Sequence, residues 1–232
     1  MFEHTKAVLI DIDDTLLDFR ACSSLALDYA IARTGYELPD NTFETFWTIN
    51  NSLWEQVERG EITKPRLHEM RWNTIFHAMG FDEYDGPLFE EHFYGKLRDY
   101  AVLIPGADEL LAYLSKKYNL YAASNSSHDQ QKARLSKVGL DQYFTGIFVS
   151  ESLGHQKPTK EFFDACFERM GGFFNRENTV LIGDSITADI RGGNRYGMET
   201  IWYNHNRKPN PTDPADYPTV KVDSLLEIKK YL

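Results

Sequence analysis

Near the start of the chain, Asp11-Ile12-Asp13-Asp14-Thr15 follows directly on the apolar run Ala7-Val8-Leu9-Ile10. Carboxylates two residues apart repel each other unless a cation lies between them or one of them holds a proton. A divalent metal supplies the first remedy, and a carboxylic acid poised to donate supplies the second. The plainer reading makes Asp13 or Asp14 the cap of the next helix and Asp11 a solvated strand end. Three further polar signals lie downstream: Ser124-Asn125, Lys157-Pro158, and Gly183-Asp184-Ser185 with Asp189 five residues after Asp184. Taken singly, Ser124 reads as a helix cap, Lys157 as a solvated loop cation, and Asp184 and Asp189 as a turn residue and a helix-surface charge. Taken together, they require elements that carry them to one place.

Ala7 to Ile10, partly β-branched and wholly apolar, reads as a short strand buried on both faces. In an open α/β sheet, ligands sit beyond the carboxyl ends of the strands, which is where Asp11 and Asp13 fall. Residues 20–100 then read as about four helices with no obvious strand. Leu25, Leu27, Ala30 and Ile31 are spaced for a helix that stops at Gly35. Asn41-Thr42-Phe43-Glu44 resembles a capping box with Asn41 as the cap. Pro65 and Pro87 are placed to open two more helices. From residue 103 strands alternate with helices: Leu120–Ala123, Gly146–Val149, Val180–Ile182 and Thr200–Tyr203 are the strands, with a short one near Val220–Val222. Helices are expected near 128–138, from Pro158 to Met170, near 187–196 and from Ser224 on, and Lys208 to Pro218 as an exposed Pro-rich loop. The pattern predicts an α/β protein with a Rossmann-like, doubly wound parallel sheet core formed by residues 1–19 and 101–232. An α-helical cap domain at 20–100 is inserted after the first strand.

The 232 residues suffice for such a core, and 42% hydrophobic with 26% charged residues is ordinary for a globular chain. A net charge of −10 argues against nucleic acid or an anionic membrane as the main partner. It leaves room for a phosphorylated small molecule, which a local lysine, a metal and backbone N–H groups can hold. Cys22 and Cys166 have no metal-type spacing, fall in helical patterns and read as buried free thiols. Met1–Lys6 does not follow a signal-peptide plan, so the expectation is a soluble cytoplasmic protein, a monomer or homodimer.

The four polar signals, in this order and on these strand ends, resemble the haloacid-dehalogenase (HAD) superfamily, in its phosphatase-type branch with a helical cap after strand one. Asp11-Ile12-Asp13-Asp14-Thr15 matches the family's first motif, Ser124 the second, Lys157 the third, and Gly183-Asp184-Ser185 through Asp189 the fourth. The resemblance implies that Asp11 is a nucleophile that forms an aspartyl-phosphate and also ligates Mg²⁺, with Mn²⁺ an alternative. Asp184 and the backbone carbonyl of Asp13 would complete the protein's metal ligands, with Asp189 orienting the metal's waters or Lys157 from behind them. Asp13 would protonate the leaving alkoxide and later deprotonate the hydrolytic water. Ser124 and neighbouring N–H groups such as that of Asn125 would bind phosphoryl oxygens, while Lys157 binds substrate and neutralises charge in the transition state.

Dehalogenase members of the superfamily typically lack the acid at the Asp13 position, so the resemblance favours phosphoryl transfer. Gly60-Glu61-Ile62-Thr63-Lys64-Pro65 through Arg71-Trp72, with Asp18-Phe19, resembles the branch of house-cleaning pyrimidine 5′-nucleotidases. The implied substrate is a phosphate monoester, foremost a nucleoside monophosphate. The alternatives are phosphoglycolate or a sugar phosphate, a phosphomutase reaction, and a non-enzymatic binding protein on the same fold. Phe43, Phe46, Trp47, Trp54, Trp72 and Phe76 offer either a stacking surface for a base or, as their helical spacing suggests, the cap's own core. Lys64, Arg66 and Arg71 stand as substrate contacts or as solvated cap cations.

Overall fold

The computed structural model describes residues 2–232, and the chain divides into two compact units. One comprises the chain through Asp18 together with Ala101–Leu232; the other is Phe19–Tyr100.

The first unit is built on β1 (Ala7–Ile10), whose four residues are all buried. Side chains alternate across a strand, and the core splits accordingly. Val8 and Ile10 join Ile12, Leu111, Leu120, Ala122, Val180 and Ile182 on one face of the sheet. Ala7 and Leu9 join Tyr121, Ala123, Phe162, Phe163 and Leu181 on the other. A strand that feeds two cores has no polar face, which is why its sequence is a continuous apolar run. The other strands are β2 (Asn119–Ser124), β3 (Phe144–Val149), β4 (Thr179–Gly183), β5 (Glu199–Tyr203) and β6 (Val220–Val222). They form one six-stranded parallel sheet in the order β3-β2-β1-β4-β5-β6, the doubly wound α/β architecture. The order reverses beside β1, and the crevice at that reversal is where such sheets bind ligands. Ile10 pairs with Ala122 of β2 and Ile182 of β4, so the residues that follow all three strands emerge along one edge.

The helices of this unit that bear on the site are α5 (Ala107–Leu114), α6 (His128–Lys137), α7 (Ser150–Leu153), α8 (Lys160–Met170) and α9 (Arg191–Tyr196). Here α5 to α9 follow four helices of the second unit in chain order. Several boundaries depart from the sequence expectation for local reasons. The helix expected from Pro158 starts at Lys160, because Thr159 adopts an extended conformation and its side chain caps Phe162 N–H. The helix expected near 187–196 opens as a π-type turn, Ile186–Ile190. The carbonyl of Ser185 accepts from both Asp189 N–H and Ile190 N–H, which widens the first turn. The C-terminal helix is a 3₁₀ segment, Leu225–Lys230, with Leu225 and Ile228 buried one tight turn apart. Within the Lys208–Pro218 loop, Asp216 is buried and paired with Arg191, so this loop is tied down rather than wholly exposed.

The second unit consists of α1 (Phe19–Thr34), α2 (Thr42–Glu58), α3 (Lys64–Met79) and α4 (Gly86–Leu97). Thr63 and Asp85 cap α3 and α4 through their side chains, next to Pro65 and Pro87 in the first turns. Asn41 does not act as the expected cap of α2: its backbone, at φ −84° and ψ 8°, makes no side-chain capping bond. Phe46, Trp72 and Phe76 pack with Phe89 and Phe93 in the interior, with ring centroids such as Trp72–Phe89 4.3 Å apart. Those three rings therefore form core and are withdrawn as a base-stacking surface. Arg71 is withdrawn as a substrate contact for a similar reason. Its guanidinium is buried against Glu90 and Asn50, inside the helical unit. Cys22 and Cys166 are buried free thiols, as expected. Among the described residues, no helix is long and apolar enough to cross a membrane.

Candidate active site

The backbone leaves β1 through a tight turn. Asp11 N–H extends the ladder to Ile182 O (2.9 Å), and Ile12 O then accepts from Leu16 and Leu17 (2.8 and 2.9 Å). Asp14 takes a left-handed conformation (φ 58°), which Asp tolerates better than most residues. The Asp13 carboxylate accepts from Gln131 and Arg134 of α6 rather than capping the next helix.

Lys157 is the centre of the buried charges. Its ammonium has three protons and three partners, each at 2.7 Å: Asp11 Oδ1, Asp189 Oδ1 and the carbonyl of Ala123. The loop that carries it is clamped by Asn125, whose amide donates to Lys157 O (2.9 Å) and accepts from Lys157 N–H (2.8 Å). The side chain of Asn125 is thus engaged with the Lys157 loop, which leaves its backbone N–H as the group to offer a ligand. Asp11 Oδ2 accepts from Thr15 Oγ1 at 3.1 Å, and Asp189 Oδ2 from Ser185 N–H at 3.1 Å. Gly183 permits that last arrangement, since a Cβ there would stand 2.2 Å from Asp189 Oδ2.

Asp11, Asp184 and Asp189 each present a carboxylate oxygen within 4.8 Å of the others. Burial pushes the Asp11 carboxyl up to about 7, with Asp189 and Asp13 adding to the rise and Lys157 opposing it. Asp184 is raised well above the ordinary range, first by burial and then by Asp14 and Asp11. Asp189 is raised by burial and by Asp184, against Lys157. Burial also works against the charge on Lys157, but Asp11 and Asp189 outweigh it and hold the ammonium above the usual lysine range. One lysine among three carboxylates leaves a surplus of buried negative charge, and the donors are all oxygens. That is the environment a hard divalent cation such as Mg²⁺ fits. Asp189 is sealed at 1% side-chain exposure, whereas Asp11 and Asp184 keep 10% and 16%, which makes those two the carboxylates an ion from solvent can reach. Lys208 stands 3.8 Å from Asp184 on the solvent side.

Of the residues the sequence offers for the core chemistry, Asp11, Asp13, Ser124, Asn125 and Asp184 lie at or just beyond the carboxyl ends of β1, β2 and β4, and Lys157 joins Asp189 of the π-type turn to Asp11. Two residues of α6 join them without having been anticipated. Gln131 donates to both Asp13 Oδ2 (2.7 Å) and Ser124 Oγ (2.8 Å), and Arg134 binds Asp13 Oδ1 (2.5 Å). The only sequence signal for them is two long polar side chains three apart, and that spacing is also what a solvated helix shows.

A doubly wound core, a helical insertion after the first strand and this acidic constellation define a hydrolase class, and the chain belongs to it. Residues 5–197 match the haloacid dehalogenase-like hydrolase family, of which this protein is a member. It is similar to the HAD-hydrolase YfnB of Bacillus subtilis, with 38% identity covering 96% of this chain and 93% of the relative. A crystal structure of YfnB bound to magnesium matches with a TM-score of 0.92 at 36% identity, over 99% of each chain. The chain is also 35% identical to the pyrimidine 5′-nucleotidase PynA of Streptococcus pneumoniae, over 96% of this chain and 93% of that one. With the pyrimidine 5′-nucleotidase YjjG of Escherichia coli it shares 29% identity over 97% and 96%. The protein is a hydrolase of this family, and the likeness to these two relatives supports a phosphatase.

Proposed function

We propose that the protein hydrolyses nucleoside 5′-monophosphates, pyrimidine nucleotides foremost, through an aspartyl-phosphate on Asp11. The observation that carries the chemistry is the buried Asp11 carboxylate, held by Lys157 at 2.7 Å at the carboxyl end of β1. The likeness to PynA and YjjG supports the choice of substrate.

In the first half-reaction an oxygen of Asp11 attacks phosphorus, and the bond from phosphorus to the nucleoside 5′ oxygen breaks. That oxygen takes the proton from the Asp13 carboxyl and leaves as the alcohol. In the second, water attacks the phosphorus of the aspartyl-phosphate, gives a proton to the Asp13 carboxylate and displaces Asp11. Inorganic phosphate departs, and both aspartates return to their starting states. One group thus serves as acid and then as base, as the reversal of bond-making requires. Mg²⁺ held by Asp11, Asp184 and the carbonyl of Asp13 would supply positive charge that lets an anionic carboxylate approach an anionic phosphate. Lys157 adds its charge beside the attacking oxygen, and Ser124 with the N–H of Asn125 binds phosphoryl oxygens. Asp189 keeps Lys157 in place.

Phosphate release with Mg²⁺ across UMP, dUMP, dTMP, purine monophosphates, phosphoglycolate and hexose phosphates tests the reading, with Asp11→Asn as the blank. A lead for the pyrimidine monophosphates is expected. A lead for phosphoglycolate or sugars overturns the substrate. Interconversion of sugar phosphates without release overturns hydrolysis.

A further inference from the structure

The proposed acid, Asp13, and the proposed phosphoryl-binding hydroxyl, Ser124, come from different strands, yet one side chain joins them. The amide nitrogen of Gln131 has two protons: it donates to Asp13 Oδ2 at 2.7 Å and to Ser124 Oγ at 2.8 Å. Its orientation is set by Arg134, whose Nη1 donates to Gln131 Oε1 at 3.2 Å and to Asp13 Oδ1 at 2.5 Å. A flipped amide would turn its carbonyl toward the Asp13 carboxylate and its NH₂ toward a guanidinium, and both contacts would be repulsive. Gln131 and Arg134 have no exposed surface, whereas the Asp13 side chain keeps 30% of its own. Each carboxylate oxygen of Asp13 therefore has one inward donor and retains acceptor capacity on its exposed side. Ser124 Oγ likewise accepts from Gln131, which leaves its O–H free to donate.

We infer that Gln131 and Arg134 are positioning residues that lock Asp13 to Ser124, so that the proton donor and the phosphoryl clamp reach the substrate at a fixed separation. The inference rests on the reading of Asp13 as general acid and base. A bound phosphate ester has its leaving oxygen and its non-bridging oxygens in fixed relation, so alignment of the two groups governs the rate more than the affinity. Arg134 is fully buried, and its ion pair with Asp13 forms a rigid stop where a water-exposed lysine would leave the acid free to wander. The contact is made through one nitrogen, so a lysine at 134 can replace part of it.

The test compares Arg134→Met, Arg134→Lys, Gln131→Met and Asp13→Asn on two substrates with Mg²⁺: the best alkyl phosphate of the panel above, and p-nitrophenyl phosphate, whose leaving group needs little protonation. Arg134→Met is expected to lower kcat on the alkyl ester by about 30-fold and on the aryl ester by about threefold or less, with KM within about threefold. Arg134→Lys should regain a substantial part of the alkyl-ester rate, and Gln131→Met should lower kcat on the alkyl ester and also raise KM through Ser124. Where Arg134→Met does not fold, Arg134→Lys and Gln131→Met carry the comparison. Equal losses on both esters in these variants, with Asp13→Asn still selective against the alkyl ester, overturn the positioning role and leave the acid in place. Equal losses in Asp13→Asn itself overturn the acid assignment, and the inference goes with it.

Discussion

Lys157 Nζ lies 2.7 Å from Asp11 Oδ1 at the carboxyl edge of the sheet, with the lysine side chain 2% and the aspartate side chain 10% exposed. The same ammonium holds Asp189 at 2.7 Å, so one cation compensates two buried carboxylates. Removing one member of a buried pair leaves an uncompensated charge, which costs more than the pair itself contributes. Lys157→Met should lower unfolding free energy at pH 8 by about 3–5 kcal/mol. At pH 5 the loss should be smaller, because the stranded carboxylates can take up protons. Turnover should fall by about a thousandfold or more, since the charge beside the attacking oxygen is gone. Denaturant unfolding at the two pH values, in chelator, checks the first part. An equal loss at both would mean the lysine acts through packing alone.

The raised carboxyls give the metal-free protein a characteristic pH response. Asp11 moves from 3.8 to about 7 on folding, so between those values the folded protein binds protons that the unfolded chain has released. Stability then falls as pH rises through that window, and Asp184 and Asp189, shifted the same way, steepen the fall. Glu90 and Asp216 are lowered. Burial opposes the charge on Glu90 but Arg71 and His68 outweigh it, while Arg191 holds Asp216 down. Their stabilisation disappears only as pH drops below the ordinary carboxylate range, whereas His205, lowered by burial and then by Lys208, adds stability as pH rises and offsets part of the fall from the three aspartates. Melting temperature in chelator should therefore decline from about pH 5 to about pH 7.5. Added Mg²⁺ should raise it more at the upper end, where it competes with fewer protons. A flat profile, or an equal metal effect at both ends, would contradict the placement of Asp11 and Asp184.

The residues legible in the sequence share a physical reason for being so. Asp11 and Asp184 stand immediately after the last residue of a buried strand and Ser124 is the last residue of one, and a buried strand announces itself by an unbroken apolar run. Lys157 and Asp189 stand out only as polar residues in the segments that follow strands, and the family motifs give them their roles. Gln131 and Arg134 escaped because they belong to α6, His128–Lys137, which is polar nearly throughout. Periodicity locates a helix's apolar face, and it is silent on which polar side chain turns inward when the inward neighbour is itself a carboxylate. The π-type turn at Ile186–Ile190 was hidden for a similar reason: one serine carbonyl receiving two N–H groups leaves no mark in residue spacing. In the helical unit, spacing correctly favoured a core role for Phe46, Trp72 and Phe76, but gave no warning that Arg71 was buried with them.

Gly183 closes β4 because the space beside it belongs to Asp189. Built on Gly183, a Cβ stands 2.2 Å from Asp189 Oδ2 and 2.3 Å from its Cγ. Asp189 is pinned on both oxygens, by Lys157 and by Ser185 N–H, and cannot yield without breaking one of those bonds. Gly183→Ala should cost about 1–3 kcal/mol of stability, the usual penalty of overpacking. It should also lower kcat, because displacement of Asp189 frees Lys157. The double variant Gly183→Ala/Asp189→Asn should lose less than the sum of the single losses, since the two substitutions act on one contact. Additive losses in thermal unfolding would show that the strain is relieved elsewhere.

Arg71 and Glu90 stand to the helical unit as Lys157 and Asp11 stand to the sheet. The guanidinium is 2% exposed, binds both Glu90 oxygens, and donates to Asn50 Oδ1 at 2.9 Å. His68 Nδ1 shares Glu90 Oε1 with the guanidinium, at 2.7 Å. Arg71 also lies over Phe93, with 5.0 Å from its guanidinium carbon to the ring centroid, so the pair is sealed by the aromatic core. Arg71→Met keeps the stem that packs there and deletes the charge, which isolates the electrostatic part. It should cost about 3–5 kcal/mol, and Glu90→Met should cost a similar amount, each by stranding its partner. Arg71→Met/Glu90→Met strands neither charge and should be more stable than either single variant. A double variant as weak as the sum of its parts would mean that Asn50 and His68, left without partners, dominate the cost. Chemical denaturation of the four proteins separates the two outcomes.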